Sequence, residues 1–233
     1  MKKLFAVLAI MVSFISCDTL KQLPGAVGGG LTEGEAGQGI KEALGNGLVR
    51  AVLQLNKEDG FFKDLAYKVL LPPDAKKIEN TLRDLGMGKM VDKAILQINR
   101  GAEDAVGYAK PIFVDAITGM TLTDAINIVR GNERAATDYF RGKTIDKLTA
   151  AFTPVIKTSL DKVNATKYYG DIVNTYNKFP TTFNKLNPDL PSFVTGKATD
   201  ALFDLIAKEE KNIRENPIAR TTEILRKVFG GGR

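Results

Sequence analysis

Between Leu122 and Val163 the apolar residues recur at the spacing of an α-helix, and this stretch constrains the fold more than any other. Thr121 followed three residues later by Asp124 has the form of a capping box with Asp in place of Glu. Leu122, Ala125, Ile126 and Val129 then fall on one face, and Gly131 stands where a helix stops. A second helix restarts from Asn132, with Ala136, Tyr139 and Phe140 inward and Arg134, Asp138 and Arg141 outward. Its stripe continues through Ile145, Leu148 and Phe152, then Val155, Ile156, Leu160 and Val163. Pro154 removes one intrahelical bond, which predicts a kink or a new start there.

Segments on both sides carry the same period. Thr32 and Glu35 have capping-box spacing, and Ile40, Ala43, Leu44, Leu48, Ala51, Val52 and Leu55 follow as a stripe. Gly37, Gly39, Gly45 and Gly47 interrupt it, so either another helix approaches closely or the first turns fray. A phosphate-cradling loop would need a preceding strand and a different glycine spacing. Phe61 to Leu71 reads as helix or extended chain, and Pro72-Pro73 punctuates it. Further stripes run from Ala75 to Leu85, ended by Gly86, and from Met87 to Val106. Pro111 opens a short helix, and Asn164 caps one that carries Tyr169, Ile172, Val173 and Tyr176. Phe179 to Ser192, with Pro180, Pro188 and Pro191, is the longest irregular segment; the last helices run on to Val228, broken at Pro217. The expectation is an all-α, single-domain bundle of about eight to ten helices over residues 31–230, with 231–233 as a tail.

The first residues read as a targeting segment. Lys2 and Lys3 precede the apolar run Leu4–Val12, which is shorter than the ~20 residues a membrane span requires. It ends at Ser13-Phe14-Ile15-Ser16-Cys17, and Cys17 is the only cysteine in the chain. This has the form of a bacterial lipobox, with Ser16 as the small residue before the cut and Phe14 departing from the usual Leu. The predicted order is a signal peptide over 1–16, a Gly/Pro tether over 17–30, and a domain lipid-anchored through Cys17 to a membrane of the bacterial envelope. A plain secretory signal with an incidental cysteine is the alternative.

Residue chemistry narrows the activity. Loss of Lys2 and Lys3 with the signal lowers the formal charge from +6 to +4, with no basic block and no interleaved aromatics, so nucleic acid is not expected as a partner. The chain has no histidine, and Cys17 is its single thiol, so Ser–His–Asp and Cys–His sites and nitrogen- or sulfur-ligated zinc cannot be assembled. No catalytic residue, metal or cofactor is assigned. Two polar groups stand out as anion sites: Glu210, Arg214 and Arg220 around Pro217, and Arg134, Tyr139 and Arg141. The bland alternatives are a salt bridge fixing the Pro217 corner and a solvated face with i,i+4 pairs such as Arg134–Asp138. Phe179, Phe183 and Phe193 flank the proline-rich segment and are candidates for the wall of a groove between helices.

Several stretches resemble one family. They are Gly39 to Leu44 (GIKEAL), Ala109 to Ile117 (AKPIFVDAI), Ala135 to Thr144 (AATDYFRGKT) and above all Lys208 to Thr222 (KEEKNIRENPIARTT) with Val228-Phe229-Gly230. Together they are similar to a bacterial envelope family catalogued as a domain of unknown function, number four-one-nine-seven. The resemblance covers roughly residues 31–230. It implies an α-helical exported protein, frequently a lipoprotein, and carries no functional residues with it.

Two readings follow. The first is a membrane-anchored, non-enzymatic lipoprotein that binds an envelope protein or an apolar or anionic small ligand, or serves as a structural module. The rival is a hydrolase acting on an envelope polymer through paired carboxylates, for which Asp115, Asp124 and Asp138 are available but not selected by spacing.

Overall fold

A computed structural model describes residues 33–178, 185–220, 226 and 230. The elements are α1 (Glu33–Leu55), a 3-10 turn (Pro73–Ala75), α2 (Lys76–Asp84), α3 (Gly88–Val106), α4 (Ala109–Thr118), α5 (Leu122–Arg130), α6 (Ala135–Asp161), α7 (Ala165–Asn177), α8 (Leu190–Glu215) and a second 3-10 turn (Pro217–Ala219). The described residues contain no strand, and the fold is all-α as the apolar periodicity implies.

The two longest central helices, α6 and α8, run antiparallel: Glu210 meets Ala136 and Thr137 at one end, and the hydroxyls of Thr195 and Thr153 lie 3.2 Å apart toward the other. α3 packs against both, pressed close to α6 because Gly101 has no side chain: a Cβ there would sit 3.0 Å from Cβ of Ser159 and 3.3 Å from Cα of Ile156. Phe113 of α4 joins the helices at the centre, edge-on to Phe140 of α6 and Phe203 of α8, each with ring centroids 6.0 Å apart. All three rings are at most 1% exposed, and such geometry adds about 0.5–1.5 kcal/mol per pair beyond area burial.

α1 closes the bundle over α4, α5 and α8. Two of its glycines explain themselves. Gly37 faces Leu122 and Ala125 of α5, and Gly47 faces the Glu209 side chain of α8, so close approach accounts for both. Gly45 meets no neighbour within 4 Å. The capping box of α5 is present in full: the Thr121 hydroxyl accepts from the Asp124 N–H, and the Asp124 carboxylate accepts from the Thr121 N–H. Gly131 ends α5 with φ −76°, so left-handed freedom is not its role; an added Cβ would fall 2.5 Å from that of Ala135. Gly86 does use a left-handed backbone (φ 78°), and Met87 N–H closes back on the Leu82 carbonyl at 2.9 Å to finish α2.

Two local expectations are corrected and two are narrowed. Of the kink or new start expected at Pro154 there is no new start: α6 runs through it, and Pro154 and Ala150, whose carbonyl loses its donor, are both exposed, where water can reach the freed group. Asn164 makes no side-chain cap; it adopts a left-handed backbone (φ 55°) that turns α6 into α7. Of the two readings of Phe61 to Leu71 the helix drops out: the segment is turns as far as Tyr67 and irregular chain beyond. Finally, α8 begins at Leu190, with Pro191 in its first turn, so the described irregular stretch before it is 185–189. Thr32 of the first expected cap lies outside the described residues.

Candidate functional site

A groove of about 390 Å³ opens between residues 66–73 and one face of α8. Its existence depends on two buried polar side chains of α3, one turn apart. Glu103, 3% exposed, accepts the backbone N–H groups of Phe61 (3.0 Å) and Phe62 (3.1 Å) on one oxygen and Arg100 (2.6 Å) on the other. Arg100 in turn holds Asp59 (2.9 Å), which is left-handed (φ 65°) at the turn that ends α1. Asn99, fully buried, accepts from Val69 N–H and donates to the Val69 carbonyl, both at 2.8 Å, and also donates to the Ile95 carbonyl. A chain without secondary structure is thereby given fixed hydrogen bonds, as buried backbone requires.

The facing wall is a stripe on α8: Phe193, Lys197, Asp200, Ala201 and Asp204. The Tyr67 hydroxyl donates to Asp204 (2.7 Å) and accepts from Lys208 (2.8 Å), and Lys208 pairs with Asp204 at 2.7 Å. Burial pushes the Tyr67 phenol above its ordinary range, while the Lys208 ammonium, aided by Tyr67, holds Asp204 below the usual carboxylate range. Lys208 is raised in turn, chiefly by its bond to Asp204. Each shift locks the group into the charge state it already has near neutrality. A nucleophile or general base needs the opposite.

Of the sequence candidates, Phe193 lines this groove, with the Lys197 ammonium 5.7 Å from its ring centroid. Arg141 reaches the wall from α6, pairing with Asp200 and lying 5.0 Å from the Phe203 centroid. Arg134 pairs with Asp138 at 3.8 Å and acts electrostatically on Asp204. Tyr139 points elsewhere, its hydroxyl 3.3 Å from Asp124. Cys17, Phe179 and Phe183 lie outside the described residues.

Glu210, Arg214 and Arg220 come together around the end of α8, but their polar atoms face the protein. Glu210 accepts Ala136 N–H (3.0 Å), Thr137 N–H (2.9 Å) and the Thr137 hydroxyl (2.7 Å), so a carboxylate from α8 occupies the N-terminus of α6. Arg214 donates to Glu210 and to the Ile128 carbonyl, each at 2.8 Å. Arg220 donates to the carbonyls of Ile213 and Arg214. Asp124 is held in its cap, Asp138 by Arg134, and Asp115 is exposed on α4, so these carboxylates do not converge on one cleft.

Sequence reasoning passed over Tyr67, Asn99, Asp200, Asp204 and Lys208. Asp200, Asp204 and Lys208 stand at successive i+4 positions on α8, a signal that was visible. Tyr67 and Asn99 had none.

Among the described residues no single helix is long and apolar enough to cross a membrane. No curated protein and no solved structure matches the chain. One family does: a profile described as a protein of unknown function, DUF4197, matches residues 30–230. That span takes in α1 through the corner after α8, including both walls of the groove and every stretch that carried the resemblance, and the chain belongs to the DUF4197 family.

Proposed function

We propose that this is an exported, lipid-anchored and non-catalytic binding module, tethered through Cys17 and engaging a partner in the groove between residues 66–73 and α8. The observation that carries the binding reading is the groove itself: it is open, it is rimmed by exposed Leu70 and half-buried Phe193, and its far wall carries two ion pairs. A carboxylate hydrolase needs an acid and a base facing each other across the substrate. Asp200 and Asp204 share one wall, and each is held by a cation.

Two experiments test the two halves. Cys17→Ser should move the protein from the membrane to the soluble fraction; continued sedimentation with membranes overturns the anchor. A photo-crosslinking amino acid at Lys197, on the groove rim, should give a discrete adduct in intact cells that is absent when the same group is placed at exposed Lys147 outside the groove. Identical adducts from both positions, or none from Lys197, overturn the groove as the binding site.

A further inference from the structure

One side-chain amide that bonds both the N–H and the C=O of a single residue requires the two groups to point to the same side, which happens in extended chain. Asn99 does this to Val69, at 2.8 Å for each bond. The carboxamide thus takes the position of a neighbouring strand's residue on one edge of the segment. Each peptide group is planar and trans, so the two that flank the fixed Val69 N–H and C=O turn the Lys68 C=O and the Leu70 N–H to the edge away from Asn99. Those two groups have no hydrogen-bond partner among the described residues, and Leu70 lines the groove. An unpaired edge with its other side fixed is a template for one more strand.

Charge tells what kind of strand. Asp200 and Asp204 on the facing wall are neutralised by Arg141 and Lys208. Lys68 and Lys197 line the groove without an acidic partner among the described residues; each lies over an aromatic ring, Phe62 at 4.3 Å and Phe193 at 5.7 Å. The uncompensated charge is therefore positive, and the apolar contacts are Leu70, Leu71 and Phe193. We infer that the groove takes an extended acidic peptide segment of a partner protein, added as a strand to the free edge of Leu70 with its carboxylates at Lys68 and Lys197. This rests on the groove being the binding site.

The test uses the full chain in detergent and a fluorescein-labelled octapeptide of alternating Val and Asp, read by fluorescence anisotropy. Two further peptides are N-methylated on alternate residues, one on each edge. Strand addition predicts that one methylated peptide loses at least tenfold in affinity while the other binds as the parent does. It also predicts that the Leu70 amide, fast to exchange in the free protein, becomes protected. Lys68→Glu with Lys197→Glu should weaken the parent by tenfold or more, and an alternating Val–Lys peptide should bind less well than Val–Asp. If both methylated peptides bind as the parent does while the charge reversal still weakens it, strand addition is overturned and the groove stands. If Val–Asp binding ignores the charge reversal, or no binding occurs, the acidic-strand proposal is overturned; the Lys197 crosslink then judges the groove separately.

Discussion

The Glu210 carboxylate accepts both the backbone N–H and the hydroxyl of Thr137, a residue 73 positions earlier in the chain. The first turn of a helix leaves its N–H groups without partners, and a local Ser, Thr or Asp usually supplies the acceptor. Arg134, which precedes α6, provides no such cap. An acid from another helix does the work, and Arg214 balances its charge.

Glu210→Ala should therefore cost about 3–5 kcal/mol, because it strips the cap and leaves Arg214 without its buried partner. Glu210→Gln keeps an acceptor and should cost less. Urea unfolding of the two variants beside wild type checks the order.

Asn99→Leu removes the acceptor and the donor that hold Val69. With both backbone groups left in a buried setting, the loss should be about 2–4 kcal/mol. Amide exchange at Val69 should accelerate before global unfolding does. An unchanged exchange rate would mean that Asn99 does not hold the segment.

Glycines of α3 and α6 should respond in opposite directions. Gly142 is exposed inside α6 with no atom within 4 Å of an added Cβ, so Gly142→Ala should stabilise by up to about 1 kcal/mol. Gly101→Ala meets the backbone of Ile156 and should destabilise by about 1–3 kcal/mol. Thermal unfolding of the pair reads both signs.

The Asp204 cluster gives a pH signature. Its folded pKa is depressed, so its contribution is present above the unfolded carboxylate value of about 4 and is lost as pH falls through the folded one. Tyr67 and Lys208 are raised, so theirs is present below about pH 10 and is lost at higher pH. Asp204 and Lys208 are half exposed, which limits the gain to about 1 kcal/mol. The stability gap between wild type and Asp204→Asn should be level from about pH 5 to 9 and shrink on both flanks.

Elements set by local chemistry were legible in the sequence. The α5 helix, its Thr121–Asp124 cap and the stop at Gly86 each rest on residues within a few positions of one another, although on α5 it is Ile128 and not Leu122 that is buried beside Ala125. The segment from Phe61 to Leu71 was not legible, because Asn99 and Glu103 decide its path from 30 and 42 positions away. At Pro154 the local rule left a new start open, and its absence rests on a tertiary fact, the exposure of Ala150. At the candidate site Phe193 was found through its aromatic neighbourhood, whereas Tyr67 became significant only once α8 lay beside it.

The bonds that α8 makes also set an order of events. Arg50 reaches Glu209 across 159 positions, Lys208 reaches Tyr67 across 141, and Glu210 reaches Thr137 across 73. Every one of these closures waits for the final long helix to be synthesised. A growing chain that ends before Lys208 can pack α3 against α6 and α1 against α4 and α5, but it lacks the α8 side of the first helix's packing, the far wall of the groove and the cap at the start of α6. Loops this long are slow to close, so these three contacts form only once the α8 segment arrives.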